Sequence, residues 1–124
     1  MTRRPPKVDR RREQRILEEI VVDAYTTEER AMGWYYYLQE KLRFPFQARC
    51  TRSLAISPLH LGEMITVTGL APEEHCLTQV IVRTTCAGRS FGVPLAQLSP
   101  QAVDPNTQTA VDDWLYWTAR GYHY

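Results

Sequence analysis

Hydrophobic positions change their period near Pro45. Before it, apolar residues recur at helical spacing, and after it short segments rich in β-branched and aromatic residues alternate with turn residues. The first pattern predicts a helix from Arg10 and a second helix over 28–42. Thr26 and Glu29 match a capping box that begins the second helix, and Pro45 ends it. The two form a hairpin or one bent helix.

The second pattern predicts short strands, separated by glycine- and proline-containing turns. The four strand segments are 46–51, 63–68, 77–85 and 90–95. Strands at this spacing, with no long helix between them, are typical of a small antiparallel barrel, and we predict an SH3-like β-barrel. The segment 93–95, followed by Leu98, indicates a strand that continues into a short helical turn.

A third helix is predicted over 106–119. Asp104 is a suitable N-cap, Pro105 stands at the first helical position, where its missing N–H costs nothing, and Gly121 ends the helix. The predicted fold class is therefore α+β, with a small SH3-like antiparallel β-barrel flanked by N-terminal helices and a C-terminal helix.

Size and composition favour one packed domain. The chain has 124 residues, of which 44% are apolar, and three tryptophans. No apolar run approaches the roughly 20 residues of a membrane-spanning helix, and no signal-peptide pattern follows the basic N-terminus. Three cysteines without C-x-x-C spacing indicate reduced thiols. These features predict a cytoplasmic protein without membrane contact.

Charge is unevenly distributed. Residues 1–15 carry seven basic and two acidic side chains, whereas residues 16–124 carry eight basic and twelve acidic ones. We expect 1–9 to be a flexible basic tail and 10–124 to be a single domain. The basic side chains at the start of the first helix support one alternative function, an interaction module that binds nucleic acid or an acidic protein partner. Its contact residues are Arg10, Arg11, Arg12 and Arg15.

Catalytic signatures are absent from the sequence, which predicts that the chain is not an enzyme. It has no glycine-rich phosphate loop, nucleophile elbow or metalloprotease helix, and its histidines and cysteines lack zinc-ligand spacing. The four consecutive aromatic residues at 34–37 would project about 100° apart on a helix, so they cannot all face one ligand. They predict packing against the sheet, with hydroxyl groups at its edge.

Acidic residues occur in small clusters, and none of these clusters matches the twelve-residue EF-hand loop. Calcium takes about six to eight oxygen ligands, so carboxylates from several elements can converge on it. Taken by themselves, however, the clusters are typical of ordinary surface charges. They lie at 18–19 with Asp23, at 28–29, at Glu40, at 73–74 and at 112–113.

Several longer motifs carry a specific resemblance. They include EEIVVDAY at 18–25, AMGWYYYL at 31–38, GLAPEEHC at 69–76 and DWLYW at 113–117, with shorter matches at 44–46, 57–59, 93–95 and 121–122. In these motifs the chain resembles the cyanobacterial-type calcium-binding proteins, a family that lacks EF-hands. The resemblance implies an intracellular calcium buffer or sensor that holds Ca²⁺ through side-chain carboxylates.

The resemblance also implies which carboxylates hold the metal. Besides Glu18 and Glu19, the matching residues are Asp23, Glu28, Glu29, Glu40, Glu73 and Glu74. Our leading hypothesis joins Glu40 at the end of the second helix to Glu73 and Glu74, and the other three form an alternative group. Gln39 stands where family members often carry an acidic residue, and the whole chain is near neutral. Fewer carboxylates predict weaker calcium binding.

Overall fold

A computed structural model describes residues 7–55, 57–121 and 124. Helix α1 spans Arg10–Glu19, α2 spans Thr27–Lys41 and α3 spans Pro105–Ala119. The strands are β1 (Phe46–Cys50), β2 (Met64–Leu70), β3 (Ile81–Cys86), β4 (Arg89–Pro94) and β5 (Leu98–Gln101), and 3₁₀ turns form at Glu73–His75 and Leu95–Gln97. The predicted α+β class and all three predicted helices are confirmed.

The five strands form one antiparallel sheet in the order β4-β3-β2-β1-β5. Within the part of the chain that the structure describes, β4 and β5 are the two edges and do not pair, so the sheet is open and the predicted SH3-like barrel is not confirmed. The sequence pattern missed β5 because Pro100 lies inside it. A proline is tolerated there because an edge strand needs ladder hydrogen bonds on one side only.

The helix ends follow the predicted capping chemistry. The Glu29 N–H donates to Thr26 Oγ1 at 3.1 Å, and the Thr107 N–H donates to the Asp104 carboxylate at 3.2 Å. Helix α1 has a cap of the same kind, in which the Arg12 N–H donates to Asp9 Oδ1 at 3.0 Å. Each helix therefore begins where a side-chain oxygen accepts one of its first N–H groups.

The core lies between the helices and the sheet. Trp34 of α2 is fully buried, and its ring centroid lies 5.0 Å from that of Trp114 in α3. Tyr35 is also buried, whereas Tyr36 is 52% exposed. The aromatic run therefore packs mainly against the core, as predicted, with the Tyr36 side chain on the surface.

The chain at the C-cap of α1 comes very close to α2 at Gly33. A Cβ atom at Gly33 would lie 2.3 Å from the carbonyl oxygen of Ile20, so only glycine permits this approach of the two backbones. The connection from α1 to α2 is therefore held against the N-terminal half of α2. This packing fixes where Asp23, with a φ of 54°, lies relative to α2.

Most of the predicted basic tail, which spans 1–9, lies outside the described residues, which begin at Lys7. Lys7 and Val8 are exposed coil, and Asp9 is already the N-cap of α1. None of the helices described is long and apolar enough to cross a membrane.

Candidate metal centre

The six predicted metal-binding carboxylates are all exposed and lie around α2. Glu28 and Glu29 occupy its first turn and Glu40 its last turn. Asp23 belongs to the connection from α1, while Glu73 and Glu74 form the start of the Glu73–His75 turn. Three separate chain segments therefore present acidic side chains near one helix.

A hydrogen bond links the Glu73–His75 turn to α2. The Tyr36 hydroxyl donates to Glu73 Oε1 at 3.2 Å, and this bond raises the pKa of Tyr36. Glu40 lies four residues after Tyr36, and side chains at that spacing share one face of a helix. Tyr36, which contacts Glu73, and Glu40 therefore share one face of α2.

The alternative group surrounds a shallow depression of about 390 Å³. Asp23, Glu28 and Glu29 line it together with three apolar side chains, those of Val22, Ala24 and Met32. The Glu29 carboxylate is partly engaged, because Glu29 Oε1 accepts the Thr26 hydroxyl at 3.1 Å. The three carboxylates of the alternative group therefore lie near one another.

One ion cannot bind all the carboxylates of both groups at once. Glu28 and Glu40 are twelve residues apart on α2, which corresponds to roughly 18 Å along the helix axis. Calcium–oxygen distances are only about 2.3–2.6 Å. Glu73 lies near the alternative group as well, because it lines a small cavity with Glu28.

The donor chemistry fits calcium, which prefers carboxylate, hydroxyl and carbonyl oxygens. Among residues 7–55, 57–121 and 124, however, no three His, Cys, Asp or Glu side chains lie close enough together to hold a metal ion. The ion pairs found in this part of the chain do not use Glu40, Glu73 or Glu74. A cation at these side chains would therefore not have to break any of those ion pairs.

The arginines of the alternative function divide into two pairs. Arg15 binds Asp113 in a bidentate manner, with nitrogen–oxygen distances of 2.8 and 2.6 Å, and this contact raises the pKa of Arg15. Arg12 Nε also approaches Asp113 Oδ1, at 3.7 Å. Arg10 and Arg11 are exposed. Half of the predicted contact surface is therefore used to hold α1 against α3.

The interpretation of Asp113 as an ordinary surface charge was wrong. Its side chain is fully buried and also accepts the Tyr37 hydroxyl at 2.7 Å. One signal was available, because Asp113 follows Ala110 by three residues and precedes Trp117 by four. Those spacings place it on the apolar face of α3.

Comparison with known proteins identifies the family. The sequence model of the CcbP family, described as calcium binding, matches residues 14–118. The chain belongs to the CcbP family of calcium-binding proteins. The expected family and its ligand, Ca²⁺, are thereby confirmed, and the nucleic-acid alternative is not favoured.

Two solved structures resemble the chain closely. The crystal structure of Anabaena CcbP is 40% identical, with a TM-score of 0.85, and the match covers 96% of this chain and 98% of that one. A calcium-binding protein in its calcium-binding form is 41% identical, with a TM-score of 0.80 and coverage of 94% and 95%. A comparison with curated protein sequences found no match.

Proposed function

We propose that this calcium-binding protein holds its ion on the side of α2 that faces the Glu73–His75 turn. Glu40 and Glu73 supply the principal carboxylates, and Glu74 joins them. The hydrogen bond from Tyr36 to Glu73 carries this assignment, because it holds the turn against α2 one helical turn before Glu40.

Electrostatics at the end of α2 support the same location. Glu40 lies in the last helical turn, where unpaired backbone carbonyls and the negative end of the helix dipole favour a cation. Gln39 is exposed beside it and offers a neutral oxygen without charge. With two or three carboxylates in the shell, water molecules complete the coordination, and the affinity is lower than that of a fully acidic site.

The alternative group of Asp23, Glu28 and Glu29 is a second candidate, supported by the depression that these residues share. It is less favourable for a cation, because Glu28 and Glu29 lie at the N-terminal end of α2, where the helix dipole is positive. Thr26 also occupies one oxygen of Glu29.

For the physiological role we propose an intracellular calcium buffer or sensor in the cytoplasm. Exposure of all six candidate carboxylates supports this role, because an ion bound at the surface exchanges readily with solvent. Calcium at Glu40 and Glu73 would also tie α2 to the turn by a second link beside the Tyr36 hydrogen bond.

Isothermal titration calorimetry of the metal-free protein tests the assignment. We expect the parent protein to bind calcium, and Glu40→Gln and Glu73→Gln each to weaken binding about tenfold, because each removes one charged ligand. Asp112→Asn is the matched control, since Asp112 lies on α3 outside the carboxylates that the resemblance implies, and an asparagine oxygen can still accept the hydrogen bond from Gln108.

Two results would contradict the assignment. If Glu40→Gln and Glu73→Gln titrate like the parent while Asp23→Asn and Glu28→Gln lose binding, the ion belongs to the alternative group. If the parent protein itself binds no calcium, the proposed function is wrong for this chain.

A further inference from the structure

A small apolar cavity of about 140 Å³ lies between α2 and the segment that follows the Glu73–His75 turn. Apolar cavities of about 150 Å³ hold a benzene-sized group, so this one has room for a single apolar side chain. Its apolar lining consists of Ala31, Met32, Tyr35, Cys76 and Leu77.

The inner wall of this anchor cavity, as we call it, is firmly held. The Tyr35 hydroxyl donates to the Ala71 carbonyl at 2.8 Å, and the Ile81 N–H donates to Cys76 Sγ at 3.4 Å. Leu77 at the mouth is 57% exposed and presents apolar surface beside the cavity. The cavity is therefore preformed and carries an apolar lip.

The rim of the anchor cavity is acidic. Glu28 lies on the α2 side and Glu73 on the turn side, and neither forms an ion pair within the described part of the chain. Burial raises the pKa of Tyr35 in the cavity wall, and the nearby Glu73 and Glu74 carboxylates raise it further. Such a rim repels the phosphates of nucleic acids and acidic membranes and attracts basic groups.

We propose that the anchor cavity docks one apolar side chain of a protein partner whose flanking residues are basic, and that calcium competes with this partner. The second part rests on the proposed function, because Glu73 belongs both to the proposed calcium site and to the cavity rim. A calcium ion at Glu73 neutralises the charge that the basic flank needs.

Thermodynamic linkage makes this competition reciprocal: the factor by which calcium weakens the partner equals the factor by which the partner weakens calcium. The calcium-free protein is therefore the form that binds the partner. A fall in calcium concentration would therefore increase binding of the partner to α2, which would convert a change in calcium into a change in protein association.

The probe is the synthetic peptide Lys-Lys-Leu-Lys-Lys, titrated into the calcium-free protein and followed by NMR chemical shifts. We expect the largest backbone shifts at residues 31–35 and 76–77. The peptide Lys-Lys-Ser-Lys-Lys has the same charge but no anchor, and we expect it to bind at least about tenfold more weakly, because it buries little apolar surface.

Two exposed leucines provide a matched pair of variants. Leu77→Gln removes the lip of the cavity and should weaken the leucine peptide several-fold, whereas Leu61→Gln changes a leucine that is 70% exposed and does not line the cavity, and should leave binding unchanged. Saturating calcium should also weaken the peptide several-fold in the parent protein but not in Glu73→Gln.

The outcomes separate the two proposals. Equal binding of both peptides, or shifts located away from the cavity, would overturn the docking surface whatever calorimetry shows for calcium. Peptide binding that calcium leaves unchanged, in a protein that calorimetry shows to be loaded, would overturn the competition. If calorimetry detects no calcium, the proposed function and the competition both fail, and the calcium-free peptide titration still decides the docking surface.

Discussion

Replacement of Arg15 by methionine should destabilise the protein by about 3 kcal/mol. The Asp113 carboxylate is fully buried and accepts two hydrogen bonds from Arg15 and one from Tyr37. Breaking a buried ion pair by removing one partner typically costs about 3–5 kcal/mol, since it leaves a buried charge uncompensated. We expect the lower end of this range, because the Arg15 side chain is 32% exposed and Arg12 lies within 3.7 Å of Asp113.

Urea unfolding followed by circular dichroism measures the change. Arg11→Met is the control, because Arg11 is an exposed arginine on the same helix and its loss should stay within about 0.5 kcal/mol of the parent. The double variant Arg15→Met/Asp113→Leu should recover at least half of the lost stability, because it removes both charges together.

The reasoning is refuted if Arg15→Met is as stable as Arg11→Met, or if the double variant is as unstable as the sum of its single changes. Either result would mean that Arg15 is a surface charge and is free for a nucleic-acid partner. These variants therefore test the structural role of α1 and the alternative nucleic-acid function together.

Three further predictions concern α2. Gly33→Ala should destabilise the protein by about 1–3 kcal/mol, because its Cβ would meet the Ile20 carbonyl oxygen; a gain in urea-unfolding stability from better helix propensity would contradict this. Burial raises the pKa of Tyr37 from 10.0 to about 12. The free energy of unfolding that this neutral tyrosine contributes is therefore fully present below pH 10 and lost as the pH rises towards 12. In unfolding curves measured across this range, Tyr37→Phe should reduce the loss. Calcium bound at Glu73 should lower the pKa of Tyr36, because it neutralises the carboxylate that raises that pKa. Ultraviolet absorbance measures the titration, and the calcium-dependent shift should be absent in Tyr36→Phe.

The sequence by itself determined the local elements, because their signals are local. The capping oxygens of Thr26 and Asp104 and the switch of period at Pro45 each act over a few residues, and the structure has the helices where those signals predict them. The family could also be inferred, because its motifs run through most of the chain. The carboxylates that the motifs carry were predicted one by one from the same resemblance.

Tertiary structure alone decided how those elements meet. The edge strand β5 was missed because it contains Pro100, which cannot donate a backbone hydrogen bond. A proline is tolerated in this strand because β5 pairs with β1 on one side and, among the residues that the structure describes, has no partner strand on the other. The buried Asp113 forms an ion pair with Arg15, although the two residues are 98 apart in the chain. The contact of Tyr36 with Glu73 joins residues 37 apart. Contacts of this kind depend on packing between distant segments, which no local pattern of charge or hydropathy encodes.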